Sequence, residues 1–168
     1  MNRELEQRYR LLHGSDREAA RAELERIAAS GKEVVIVSAC LLGVRCRFDG
    51  KDKQDDPAVA RVAGEAELLP LCPEVLAGFG VPRPAITLAA DGRTATDDRG
   101  QDVSAQLDAG AGLAEKFAAL AGATRALLKE RSPSCGSSQV HGPDGLRDGE
   151  GRFTARLRKR GLPVVSEK

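Results

Sequence analysis

The 168-residue chain has few aromatic side chains and almost equal numbers of positive and negative charges. It contains no Trp, one Tyr and four Phe, so it offers little of the aromatic surface on which proteins stack single-stranded bases. Lys and Arg number 26 against 25 Asp and Glu, which leaves no large net field to attract nucleic acid or an anionic membrane. These two shortages disfavour a nucleic-acid partner, although they do not exclude a local basic patch.

Long apolar runs are also missing. No stretch approaches the roughly 20 apolar residues of a membrane-spanning helix, and the acidic start of the chain lacks the apolar core of a signal peptide. We therefore expect a cytoplasmic protein with no membrane contact. Its four cysteines are then expected to be reduced, and to be buried, catalytic or metal-bound rather than paired in structural disulfides.

Residues 1–31 form a charged block with a helical pattern. An apolar stripe that stops before Gly14 predicts a first helix. A capping box at residues 15–18, with Ser15 as the N-cap, predicts a second helix that runs to about Ser30. We expect an N-terminal helical hairpin without catalytic residues, packed on the main domain or on a second subunit, followed by an α/β domain over residues 32–168.

Beyond this block, short apolar runs alternate with helical stretches. Runs that end at Val37, Leu71 and Leu128 predict strands, and residues 163–165 predict a last one. The longest helix is expected over residues 103–121. This alternation is typical of an α/β fold, with a mainly parallel sheet flanked by helices in a single domain.

Two further segments have turn signals. Asp91-Gly92 lies between two short runs and predicts a small antiparallel hairpin. The segment 141–151 is rich in glycine and charged residues, and we expect a mobile loop there that is able to act as a lid.

Three of the four cysteines each follow a different predicted strand: Cys40, Cys72 and Cys135. The carboxyl ends of neighbouring parallel strands meet at one edge of a sheet, which is where α/β proteins bind ligands. If the three strands are neighbours, the three thiols converge at that edge. Cys46 shares the loop of Cys40 but follows no strand, and it stays unassigned.

Converging thiolates need a positive partner, and two kinds remain open. Structural zinc sites usually draw their ligands as close pairs such as C-x2-C, whereas the local pair here is Cys40-x5-Cys46. An iron–sulfur cluster is the other soft acceptor, and Cys72-Pro73 is a pairing found at cluster ligands. Gly136, next to the third strand-end cysteine, would let the backbone approach a bulky cofactor closely.

Polar side chains near the thiols are candidates for moving protons, because a carboxylate in a poorly hydrated pocket can have a pKa suited to that task. These candidates are Glu74, Asp49, Lys129, Ser132 and Ser134. Three of them also have purely structural interpretations: Glu74 as a helix cap, Asp49 as a turn residue and Lys129 as a strand-edge charge. His13 and His141 are more typical of surface histidines.

Five segments, taken together, carry a specific resemblance: residues 37–43, 46–50, 71–75, 81–84 and 128–136, with 165–167 similar too. In this combination and order the chain resembles, over about residues 33–168, the bacterial family typified by 2-thiouracil desulfidase. The N-terminal block departs from that pattern, as does Phe48, where tyrosine is common.

The resemblance implies a [4Fe-4S] cluster held by Cys40, Cys72 and Cys135, with the fourth iron left open. In the mechanism that it implies, this iron acts as a Lewis acid toward the sulfur of a thiocarbonyl, and water attacks the adjoining carbon. An acid and a serine assist the proton movements, C=S becomes C=O, and sulfide leaves a small thiolated base. We rank Glu74 first and Glu67 second as the acid, and take Ser134 as the serine.

Two alternative functions stay open. A non-catalytic zinc- or cluster-binding module, structural or redox-sensing, would use all four cysteines as ligands, with Cys46 as the fourth. Desulfuration of thiolated tRNA is the other alternative, and the balanced charge and scarce aromatic residues weigh against it. We expect a monomer or homodimer whose partner is a small-molecule substrate.

Overall fold

The computed structural model describes residues 2–54 and 56–167. Met1, the first residue of the predicted N-terminal block, and Lys168, the last residue of the predicted α/β domain, lie outside the described residues. The elements in chain order are α1 (Arg3–His13), α2 (Arg17–Ala28), β1 (Val34–Ser38), a 3-10 turn (Ala39–Leu42), α3 (Pro57–Ala63), β2 (Glu67–Leu71), α4 (Pro73–Leu76), β3 (Ile86–Leu88), β4 (Ala95–Asp97), α5 (Ser104–Ala121), β5 (Arg125–Lys129), β6 (Gln139–Gly142), β7 (Gly145–Asp148), α6 (Arg152–Lys159) and β8 (Val164–Glu167).

Four parallel strands form the central sheet in the order β2-β1-β5-β8, which confirms the predicted α/β fold. Ile36 in the middle of β1 is paired with Leu69 on one side and Ala126 on the other. The chain leaves β1 toward β2 and later adds β5 and β8 on the other side, so the order reverses between β1 and β5. Ligands bind at such a switch point, outside the carboxyl ends of the strands.

Helices cover both faces of the sheet, and β1 is buried along its whole length. This explains its uninterrupted apolar sequence, because a strand covered on both faces has no solvent-facing positions. On one face, Ile36 and Leu69 share a core with Phe117 of α5. On the other face, Val37 packs in a second core with Val59 of α3.

The N-terminal hairpin has the two predicted helices, with one correction at the start of α2. Asp16 caps that helix, and its side chain accepts a hydrogen bond from the N–H of Ala19 at 3.0 Å. The expected cap, Ser15, therefore lies one residue outside. Asp and Ser are comparably good N-caps, so a sequence that carries both in succession does not decide between them.

The hairpin packs on the sheet through a buried arginine. Arg8 is 3% exposed, and its Nε donates to Glu23 of α2 at 2.9 Å. Its Nη1 donates to the carbonyl of Leu68 at 2.7 Å, and its Nη2 pairs with Glu67 at 2.5 Å. Leu12 and the α2 residue Leu24 are fully buried in the core that contains Ile36. Of the two expected locations for the hairpin, the main domain is the one observed.

The segment 141–151, expected to be a mobile loop, is instead mostly a β-hairpin, so that prediction is wrong. Strands β6 and β7 pair antiparallel around the tight turn Pro143-Asp144, and Gly145, which follows the turn, has a positive φ. Val140 is fully buried in a cluster with Leu88 of β3, and Nε of Arg147 donates to the carbonyl of Leu88 at 3.0 Å. The glycines therefore serve the turn and the strand ends.

Helix α5 is the longest helix, as predicted, and a glycine lets it approach the start of α4. A Cβ at Gly110 would lie 2.2 Å from the carbonyl oxygen of Pro73, which is closer than any real contact. Pro73 directly follows Cys72, so this contact sets the position of a strand-end cysteine. No helix among residues 2–54 and 56–167 is both long and apolar enough to cross a membrane.

We predict that Gly110→Ala destabilises the protein, whereas Gly112→Ala in the same helix stabilises it. Alanine favours a helix over glycine by about 1 kcal/mol, but overpacking at Gly110 costs about 1–3 kcal/mol. At Gly112 the nearest atom to a new Cβ is the side-chain Cζ of Arg156, at 3.6 Å. Urea unfolding followed by circular dichroism checks both signs, and equal effects of the two substitutions would contradict the close approach.

Candidate active site

A cavity of about 620 Å³ lies at the carboxyl edge of the sheet, next to the switch point. All four cysteines are among its lining residues, and all four are free thiols: Cys40, Cys46, Cys72 and Cys135. The parallel strands thus bring the three strand-end thiols to one place. The fourth thiol, which follows no strand, lies with them.

Each strand-end cysteine is presented by a different short element. Cys40 lies in the 3-10 turn that continues β1, and Cys72 is the N-cap of α4, which begins at Pro73. Cys135 lies in the turn that follows β5, with its N–H donating to the Ser132 hydroxyl at 3.1 Å. Proline in the first turn of a helix costs no hydrogen bond, so the Cys-Pro sequence starts α4 directly at the thiol.

The thiols influence one another's ionisation. A hydrogen bond with Cys46 lowers the pKa of the Cys40 thiol, and the nearby Lys129 charge adds to this effect against the opposing effect of burial. The same bond and burial raise the pKa of Cys46, and burial raises the pKa of Cys135. Thiolates gathered at one buried place repel each other, so a positive group is needed to hold them all in that form.

Two of the predicted proton-transfer residues meet in the wall of this cavity. Glu74 is 8% exposed, and the hydroxyl of Ser134 donates to its Oε1 at 3.1 Å. Nε of Arg83 donates to the other carboxylate oxygen, Oε2, at 2.7 Å. Both oxygens of Glu74 are therefore held, and its orientation is fixed.

Arg83, to which the sequence analysis assigns no role, also lines the cavity. Besides Glu74, it reaches the backbone of the cysteine loop, where Nη1 donates to the carbonyl of Cys46 at 3.0 Å. The signal for it was the Val81-Pro82-Arg83-Pro84 segment, in which two prolines flank a cation and hold the chain extended.

The structure does not bring Glu67 or Asp49 to the cavity. Glu67 starts β2, five residues before Cys72, and at about 3.3 Å per residue this places it roughly 16 Å away at the opposite edge of the sheet. There it pairs with Arg8. Asp49 accepts a hydrogen bond from the N–H of Lys51 at 3.1 Å, which is the turn role considered for it.

Lys129 lines the cavity, but its ammonium is engaged, since Nζ donates to the carbonyl of Glu130 at 2.9 Å. Burial lowers the pKa of Lys129. Ser132 also lines the cavity, where its hydroxyl accepts the N–H groups of Ser134 and Cys135, each at 3.1 Å. Its observed contacts are thus to the backbone of the cysteine turn.

Glu130, which the sequence reasoning did not single out, organises the loop that carries Cys135. Its Oε1 accepts four backbone N–H groups at 2.9–3.3 Å, from Arg131, Ser137, Ser138 and Gln139. Burial alone would raise its pKa, but these bonds outweigh burial and lower the pKa of Glu130 to about 2. The Glu130 carboxylate thus accepts backbone N–H groups of the loop, as carbonyl oxygens would in a helix or a sheet.

Three more residues at the site have positions that the sequence did not predict. Nε2 of His13 lies 3.0 Å from the backbone N of Cys72, and burial lowers the pKa of this histidine to about 4. His141 is exposed and lines the cavity. Phe48 also lines the cavity and is 45% exposed, which leaves an aromatic surface accessible to a ligand.

The arrangement differs from a site for a single metal ion. Among the described residues, no group of three or more His, Cys, Asp and Glu side chains is placed to hold one ion. Zinc needs its ligand atoms at about 2.0–2.3 Å from one centre, so this geometry gives the zinc interpretation no support. An all-thiol donor set around a cavity of this size fits a larger group such as an iron–sulfur cluster.

The comparisons with known proteins agree with this geometry. The profile of the family described as 2-thiouracil desulfurase matches residues 35–168. The chain belongs to the 2-thiouracil desulfurase family. The match covers every strand-end cysteine and leaves α1 and α2 outside.

Two relatives illustrate the membership in the 2-thiouracil desulfurase family. The uncharacterised protein YbbK of Bacillus subtilis (strain 168) is 31% identical over 145 residues, which cover 80% of this chain and 95% of that protein. The solved structure of the [4Fe-4S]-dependent thiouracil desulfidase TudS is 40% identical, with a TM-score of 0.74. That likeness covers 81% of this chain and 91% of the TudS chain.

We predict that Glu130→Gln destabilises the protein by about 1–2 kcal/mol at pH 7, because charge-assisted hydrogen bonds to the loop become neutral ones. The lowered pKa of Glu130 means that its contribution is present above about pH 4.5 and is lost as the pH falls toward about 2. The difference in unfolding free energy between the two proteins should therefore shrink over that window.

Urea unfolding at several pH values measures this difference, with Glu150→Gln as the control. Glu150 forms an exposed ion pair with Arg158, which contributes little to stability. A Glu130→Gln effect that stays constant from pH 7 to pH 2 would show that the carboxylate charge does not hold the loop.

Proposed function

We propose that this chain is a [4Fe-4S]-dependent desulfidase that converts C=S to C=O in a small thiolated base such as 2-thiouracil and releases sulfide. The observation that carries the proposal is the meeting of Cys40, Cys72 and Cys135 in one cavity with the hydrogen-bonded pair Glu74–Ser134. Membership of the 2-thiouracil desulfurase family and the 40% identity to TudS support the same activity and cofactor. Neither a non-catalytic metal module nor a tRNA desulfurase is favoured by these comparisons.

The proposed cluster ligands are Cys40, Cys72 and Cys135. Three thiolates would then bind three of the four irons. When bound, the cluster supplies an iron without a protein ligand, which acts as a Lewis acid toward the thiocarbonyl sulfur. Cys46 is not proposed as a ligand. It contributes a buried thiol and, through its carbonyl, an acceptor for Arg83.

Glu74 is the proposed general base and Ser134 its partner. The carboxylate takes a proton from the water that attacks the carbon, and the Ser134 hydroxyl, already bonded to Oε1, orients that water or passes the proton. Arg83 holds the other carboxylate oxygen, so Glu74 does not turn away. The overall reaction is a hydrolysis: water supplies the new carbonyl oxygen and its two protons leave with sulfur as hydrogen sulfide, so no oxidant or reductant is consumed.

The cavity suits a planar, base-sized substrate. Its volume of about 620 Å³ lies within the roughly 300–1,000 Å³ usual for small-molecule pockets. The exposed ring of Phe48 in its wall provides a face on which a pyrimidine ring stacks. A cytoplasmic location and a monomeric or homodimeric state stay predictions.

Anaerobic reconstitution with iron and sulfide tests the cofactor. We predict about four irons per chain in the unsubstituted protein and in Cys46→Ser, and a loss of the cluster in Cys135→Ser, because three strand-end thiolates hold it. Iron and sulfide analysis with the visible spectrum measures the content. Tightly bound zinc without iron, or loss of all metal in Cys46→Ser, would favour the four-cysteine module instead.

Turnover tests the assignment of the acid. With the cluster loaded, Glu74→Gln should lower kcat for release of sulfide from 2-thiouracil by about 10²–10⁴-fold, the usual contribution of a general base. Glu67→Gln removes the charge of one of the partners of Arg8 and should lower the unfolding free energy while leaving kcat close to that of the unsubstituted protein. The reverse pattern would transfer the role to Glu67.

A further inference from the structure

Helix α1 contacts the proposed cluster site through His13. The ring Nε2 of His13 lies 3.0 Å from the backbone N of Cys72, at the end of β2. We propose that His13 is a positioning residue that holds the backbone of Cys72 in place for cluster binding. The inference rests on the proposed function, in which Cys72 is a cluster ligand, and it concerns a helix outside the region that the family profile matches.

The partners of the two ring nitrogens fix the direction of the hydrogen bond. Nδ1 of His13 lies 2.9 Å from the carbonyl oxygen of Tyr9, which can only accept, so Nδ1 carries the proton. Nε2 then has a free lone pair. The N–H of Cys72 can only donate, and it donates to this lone pair.

Contacts other than these two hydrogen bonds also hold the imidazole of His13 in place. The ring of Tyr9 stacks on that of His13 with the centroids 4.0 Å apart. Arg8, five residues before His13 in α1, ties this helix to the carbonyl of Leu68 and to Glu67 in β2. Helix α1 is therefore anchored to the same strand whose end carries Cys72.

The contact uses the one backbone group of Cys72 that α4 leaves unpaired. The carbonyl of Cys72 accepts the N–H of Leu76 and so begins the helix, while the N–H lies before the first turn. A donor at such a place either finds an acceptor or reorients toward water. His13 supplies the acceptor, and the Cys72 backbone keeps one conformation.

Two amide substitutions of His13 separate positioning from general packing. In His13→Gln the side-chain oxygen reaches the position of Nε2 and accepts from Cys72, so this variant restores the bond. In His13→Asn the shorter amide reaches only the position of Nδ1, next to Tyr9, and the Cys72 N–H loses its partner. The two variants have the same polar group and differ in reach.

The first measurement is the rate at which iron leaves the reconstituted chain in the presence of a chelator. Loss of a partner that orients a metal ligand typically weakens metal binding about 10–100-fold, so we expect iron loss at least about tenfold faster in His13→Asn. His13→Gln should lose iron at nearly the rate of the unsubstituted chain. Equal rates in the two variants would overturn the proposal.

A destabilised control tests whether any loosening of the hairpin has the same effect. Leu24→Ala truncates a fully buried residue of α2 in the core that contains Ile36, whereas Cys72 packs against the core on the other face of the sheet. It should lower the urea midpoint more than His13→Asn does and yet release iron more slowly. Faster release from Leu24→Ala would mean that His13 acts only through the packing of the helices.

The second measurement does not depend on iron. In the full chain kept reduced, amide hydrogen exchange at Cys72 should be slow in the unsubstituted and His13→Gln proteins, and at least about tenfold faster in His13→Asn. If the unsubstituted chain binds no iron, the proposed function fails, and this exchange still decides whether His13 holds Cys72. Unchanged exchange in His13→Asn would refute the hydrogen bond itself.

Discussion

Parallel pairing of β1 with both β2 and β5 is the constraint on which the site depends. Parallel strands need long connections, so cysteines far apart in sequence can each follow a strand and still end at one edge of the sheet. The reversal of strand order between β1 and β5 leaves that edge open between Cys40 and Cys135. The cavity is thus a consequence of topology, and the loops only decide its lining.

Two buried carboxylates at the cavity, Glu74 and Glu130, are each stabilised by hydrogen bonds to neighbouring donors. Glu74 is bonded by Arg83, whose pKa rises because the Glu74 and Cys72 charges outweigh the effect of burial. Glu130 is bonded by four backbone N–H groups and needs no cation. Buried charges are stable only when their hydrogen bonds are complete, so each of these groups orders the loop around it.

Much of the fold could be predicted because its signals are local. The continuous apolar run of β1, Pro57 after its N-cap and the Asp91-Gly92 turn each specify a structure within a few residues. The sequence predicts a mobile loop at the glycine-rich hairpin because the order of the hairpin comes from Val140 and Leu88 packing in one cluster, and these residues are 52 positions apart in the chain. At the site, the thiols were found from the strand pattern, whereas Glu130 and His13 act through backbone groups that no sequence pattern marks.

The N-terminal hairpin shows how a segment that looks separate in composition becomes part of the structure. Its charged surface suggests a solvated appendage, yet Leu12 and Leu24 lie in the same core as Ile36 of the sheet. Arg8 could be buried only because Glu23, Glu67 and the Leu68 carbonyl satisfy its donors, and two of these partners lie in β2. The change in composition near residue 31 therefore marks no change of core. Because α1 is fixed to β2 in this way, the end of the strand and the thiol that follows it share the rigidity of the helix.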